Sequence, residues 1–117
     1  MNKQLIVKNR RRVIEGSFSF VPHRFLREGF FESLQSDELV LYFFYVLAAD
    51  AQGLSYYSSK TITQLLKMKT EAYEHALSRL LQMDLIATKE TLVQVLHLPS
   101  SPPTRSLSSA ERGEQYD

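Results

Sequence analysis

SYYSSKTITQLLKMKTEAYEHALSRLLQMDLIATKETLVQVLHL, residues 55–98, changes its pattern three times, and those changes decide the fold. Ser58 or Ser59 opens a helix that runs to Lys67, because a serine oxygen accepts from the free N–H groups of a first helical turn. Ile62, Leu65 and Leu66 share one side of that helix. Met68 and Lys69 form a brief turn, and Thr70 caps a second helix reaching about Met83. At about 100° per residue, Ala72, Tyr73, Ala76, Leu77, Leu80 and Leu81 fall within roughly half its circumference. The period then turns from helical to extended. DLIA and TLVQVLHL read as strands separated by Thr88, Lys89, Glu90 and Thr91, which predicts a β-hairpin.

Working backwards, residues 54–57 read as a short strand. In SDELVLYFFYVLAAD, Ser36 is the expected helix cap, and Asp37 and Glu38 suit the positive end of the helix dipole. This helix is expected to run to about Ala51 and to stop near Gly53. Its stretch LVLYFFYVLAA is apolar at every angle, so most of its sides need cover, from the Phe-rich segment before it or from a second copy of the chain. That segment, HRFLREGFF, follows Pro22 and predicts one or two helical turns; Phe25, Leu26, Phe30 and Phe31, with Leu34 just beyond, supply an apolar face. Earlier still, Phe18 and Phe20 alternate with serines as a half-buried strand would.

These elements fill residues 16–98 as a single domain, the natural count for 117 residues. Residues 1–15 are expected to form a flexible basic arm, with a short strand around residues 5–7, and residues 99–117, rich in Ser and Pro, a disordered tail. Seven Phe and six Tyr supply a real core. The absence of cysteine excludes disulfides, thiol catalysis and cysteine-ligated metals. No secretory pattern opens the chain, and its longest apolar run, residues 39–49, falls well short of the ~20 residues of a bilayer span. A soluble, cytoplasmic protein is expected. The net charge of +1 is unevenly spread: five Lys or Arg against one Glu in residues 1–15 (+4), seven against nine acids in residues 16–99 (−2), and two against three beyond (−1).

The order helix, strand, helix, tight turn, helix, hairpin resembles the winged helix-turn-helix domain of small bacterial regulators and replication initiators. Carrying the resemblance are a serine-started helix ending in paired leucines, a second helix with paired leucines, and Asp84–Leu85–Ile86 leading into the hairpin. VPHRFLREGF and SDELVLYFFYVLAAD also resemble the leading helices of small proteins found with plasmid replication and transposition genes. The resemblance implies a mainly α fold with a small β-hairpin, and a regulator of transcription or an accessory factor of replication or transposition that binds double-stranded DNA. It makes residues 70–83 a recognition helix for the major groove, with Thr70 at its start and His75, Ser78, Arg79 and Gln82 able to meet base edges. Lys60, Lys67, Lys69 and Lys89 are the implied phosphate contacts, and Arg10, Arg11 and Arg12 a minor-groove or backbone-tracking arm. Glu71 and Glu74 depart from the pattern, since carboxylates at the groove entrance repel phosphate. They favour the alternative, a protein-interaction or dimerisation module on the same fold.

Nothing in the chain predicts catalysis. His23, His75 and His97 lie on different elements, and Glu71 with His75 is an ordinary i,i+4 pair lacking a second histidine at metal-site spacing. No glycine-rich phosphate loop occurs, and no serine sits on a strand-turn-helix elbow beside a base. Neither metal, cofactor nor small-molecule substrate is expected. A homodimer is.

Overall fold

The computed structural model describes residues 3–103, and the domain it shows is mainly helical with a three-stranded antiparallel sheet. Helices α1 (Arg24–Arg27) and α2 (Ser36–Ala48) lead into strand β1 (Leu54–Tyr56), followed by α3 (Ser59–Leu66), α4 (Thr70–Gln82), β2 (Ile86–Lys89) and β3 (Leu92–Val95). The sheet order is β1-β3-β2. Lys89 pairs with Leu92 across a two-residue loop, and Ser55 pairs with Val93, so the short strand expected at residues 54–57 adds to the hairpin.

Helix α2 is the hub. On one side Phe25 stacks on Tyr42 with ring centres 5.0 Å apart, and Phe30 stacks on Phe25 in turn. On another side α4 brings up Tyr73, Ala76 and Leu80, all buried, and this is the main helix–helix contact. Helix α3 contributes Ile62 to the same core, while Leu65 beside it is exposed. Of the α4 stripe, Ala72 and Leu77 are half-buried and Leu81 is exposed.

Several local expectations are corrected. Gln35, not Ser36, caps α2: the Gln35 side chain accepts from the Glu38 N–H, and the Glu38 carboxylate accepts from the Gln35 N–H at 2.9 Å. Helix α2 stops at Ala48 rather than near residue 51, because the Asp50 carboxylate takes the Gln52 and Leu54 N–H groups and builds a turn there. Ser58 does cap α3, but α4 begins at Thr70 without a side-chain cap, Lys69 occupying the cap position.

Residues 17–21 make no strand. They alternate in the opposite phase, with Ser19 and Val21 half-buried and Phe18 and Phe20 turned outward, because no sheet edge is there to receive them. Nor is there a strand at residues 5–7; the arm holds a 3-10 turn at Lys8–Arg10, and no residue from 3 to 18 is buried. At the other end, the Arg24 guanidinium donates to the carbonyls of Leu98, Pro99 and Ser100, the shortest at 2.6 Å, so the segment expected to begin the tail starts pinned against α1. The rest of that expected tail, residues 104–117, lies outside the described residues.

Candidate nucleic-acid interface

The turn between α3 and α4 is closed by a Schellman motif. Lys67 adopts a left-handed conformation (φ 55°), its N–H reaching the Gln64 carbonyl and the Met68 N–H reaching that of Thr63. This ends α3 abruptly and lets α4 restart two residues later. Lys67, Lys69 and Thr70 consequently stand together in solvent at one corner of the domain.

Along α4, packing against α2 fixes the rotation. With Tyr73, Ala76 and Leu80 inward, Glu71, Glu74, His75, Ser78 and Gln82 are all exposed. His75, Ser78 and Gln82 recur at i, i+3 and i+7 and so form one polar strip. Lys60 is exposed in the first turn of α3, and Lys89 at the end of β2. Arg10, Arg11 and Arg12 are exposed on the arm.

Arg79 does not join this strip. Its guanidinium turns back toward α2, where Nε lies 3.7 Å from the Glu38 carboxylate, while Nη1 donates to the Gln82 side chain at 2.9 Å. Glu38 itself is 1% exposed, and its second oxygen also faces His75 Nε2 at 3.8 Å. One carboxylate thus caps α2 with one oxygen and anchors α4 with the other. Reasoning from the sequence places Glu38 only at the helix dipole. No spacing gives it away: Glu38, Leu41, Tyr42 and Tyr45 recur at i, i+3, i+4 and i+7, but so do Val40, Phe43, Phe44 and Leu47 on the other side, and only packing decides which set is buried.

Beneath α4 lies the Tyr45 hydroxyl, whose pKa burial holds above the usual phenol range, with neighbouring Tyr73 adding to the shift. It is a neutral core group and takes no part in the polar strip. A cavity of about 880 Å³ opens elsewhere, between residues 17–20, the end of α2 and residues 95–98, and no α4 residue lines it. Among the described residues, no cluster of three His, Asp or Glu is placed to hold a metal ion, and no helix is long and apolar enough to cross a membrane.

No protein-family model matches the chain, and neither a curated protein nor a solved structure matches it.

Proposed function

We propose that the chain is a winged helix-turn-helix protein that binds double-stranded DNA, as a regulator of transcription or an accessory factor in replication or transposition. The observation that carries this reading is the corner at the α3–α4 turn: Lys67, Lys69 and Thr70 exposed beside the start of a helix whose strip of His75, Ser78 and Gln82 is also exposed. The element order and the β1-β3-β2 sheet support it, since in this layout α4 is the helix for the major groove and the β2–β3 loop with Lys89 the wing. Lys60, Lys67, Lys69 and Lys89 serve phosphates, and His75, Ser78 and Gln82 serve base edges. Arg79 drops out of the base-reading set, because its charge is already committed to Glu38.

Anisotropy titration with duplex DNA across a salt series tests this. The wild-type chain is expected to bind in the micromolar range or tighter, with affinity falling steeply as salt rises. Lys60→Ala, Lys69→Ala and Lys67→Gly combined should flatten the log–log salt slope by about 3, at roughly 0.9 for each phosphate that is no longer neutralised. Glycine is the right replacement at Lys67 because the left-handed backbone there suits it, so the turn survives while the charge goes. Absence of binding to any duplex at low salt overturns the reading.

A second reading, a protein-docking module without DNA binding, is favoured by two facts: Glu71 and Glu74 are exposed at the entrance of α4, and Arg79 is withdrawn. Under it, the three lysine replacements leave binding to the partner protein unchanged.

A further inference from the structure

One side of helix α2 is left uncovered among the described residues. Its inward residues, Glu38, Leu41, Tyr42, Tyr45 and Val46, lie on the side where α4, the β1–β3 edge of the sheet and Phe25 of α1 pack. At about 100° per residue, Val40, Phe43 and Leu47 fall within about 60° of one another on the opposite side. All three are exposed, Leu47 at 74%. Their spacing, i, i+3, i+7, is that of a helix–helix seam, and no charged side chain interrupts α2 after Glu38.

The seam is continuous with further apolar groups beside its middle and at its Leu47 end. Phe25 touches both Phe43 and the exposed Phe31. Leu47 lines the 880 Å³ cavity together with Phe18 and Phe20, the two aromatics turned outward. Phe18, Phe20, Phe31 and Phe43 are 66, 77, 40 and 38% exposed. At about 200 Å² for a fully exposed ring they present about 440 Å² of apolar surface. Val40 and Leu47 extend that past the ~300–600 Å² typical of the largest patch on a monomer and toward the ~800 Å² that each partner of a specific dimer buries.

We infer that this face is a homodimer interface, occupied by the same face of a second copy through antiparallel pairing of the two α2 helices. The seam fits itself. A two-fold axis beside Phe43 sets Val40 of one chain against Leu47 of the other at both ends, as an isologous interface requires. The outward Phe18 and Phe20 then reach across the end of the partner's α2. Because α4 lies on the Glu38 side of α2, pairing through the seam leaves both copies of α4 open. Dimerisation through this face is therefore independent of DNA binding.

Sedimentation or light-scattering mass, followed over a wide concentration range on the full chain without DNA, tests it. The expected species has twice the 13.5 kDa chain mass at the upper concentrations. Phe43→Glu with Leu47→Glu should shift it to a single chain, and an unchanged circular dichroism spectrum would show that these exposed positions leave the fold intact. Since the chain has no cysteine, Phe43→Cys supplies a second readout: mild oxidation should link two copies through a residue near the axis, while Thr61→Cys on α3 should not. A single-chain mass at every concentration, or a dimer indifferent to both glutamates, overturns the proposal.

Discussion

Among the described residues, three other than glycine hold the left-handed backbone that ends an element: Lys67 after α3, Asp84 after α4 and Glu90 in the β2–β3 loop. Such positions normally announce themselves as glycines, so these turns are legible only through what flanks them. The end of α4 repeats the Schellman pattern, with the Leu85 N–H on the Leu80 carbonyl and both side chains fully buried, which is why Asp84–Leu85–Ile86 leads so directly into the sheet. Glu38 escapes a reading of the sequence for a different reason. A carboxylate in a helical first turn has two uses, dipole and cap, and only the neighbouring helix reveals a third. Glu38→Ala removes the capping bond and leaves Arg79 without its counter-charge. A lost cap costs about 1 kcal/mol, and a broken buried pair costs more, discounted because Arg79 keeps some contact with solvent, so about 2–3 kcal/mol is expected in total. Glu38→Gln should lose less, since an amide oxygen still accepts from the Gln35 N–H. Urea midpoints measure both: equal losses for the two variants would remove the capping bond from the account, and a Gln variant as stable as wild type would remove the charge.

At the scale of elements, the most legible stretches are those whose period faces a single partner. Helix α4 has one apolar stripe and one core to meet, so its inward residues Tyr73, Ala76 and Leu80 follow from spacing. Helix α2 has no stripe, and its apolar sequence conceals which side is covered; only packing separates Tyr45 from Phe43. Phe18 and Phe20 take the opposite phase to the expected one because alternation shows that two faces differ, not which one a sheet will take up. The link from α2 to β1 depends on a single side chain. Asp50 accepts from the N–H groups of Leu54 and Gln52, and these bonds hold its carboxyl below the ordinary value of 3.8. A carboxyl with a lowered folded pKa adds stability that is fully present above its unfolded value and is lost as pH falls through the folded one. Thermal unfolding of Asp50→Asn and of the wild-type chain should therefore differ at neutral pH, wild-type melting higher, with the gap closing in acid below pH 3.8. A gap that stays constant down to that acid range would mean the turn gains nothing from the charge.

For the whole molecule, charge and shape are divided between different parts. Residues 1–15 carry five cationic side chains against Glu15, whereas residues 16–99 carry nine acids against seven bases. The packed domain by itself is thus no strong attractor of a polyanion, and its cationic corner at Lys67 and Lys69 sits beside Glu71 and Glu74. Under the DNA reading most of the long-range attraction has to come from the arm, which is placed for it: nothing from residue 3 to residue 18 is buried, so its bases are free to follow a duplex. Deleting residues 2–12 removes Lys3, Lys8, Arg10, Arg11 and Arg12 while leaving every core residue in place. The shortened chain should melt like the full one. Its affinity for duplex DNA should fall by an order of magnitude or more at low salt, and the slope of log affinity against log salt should flatten by about 4.5, at ~0.9 for each phosphate that one of the five cations neutralises. Because the arm contributes nonspecifically, the loss should be the same for every duplex tested, whereas a change at Ser78 or Gln82 should discriminate among sequences. Should the shortened chain keep both its affinity and its salt slope, phosphate binding would have to reside in the lysines of α3, the turn and the wing, and the arm would have no part in recognition.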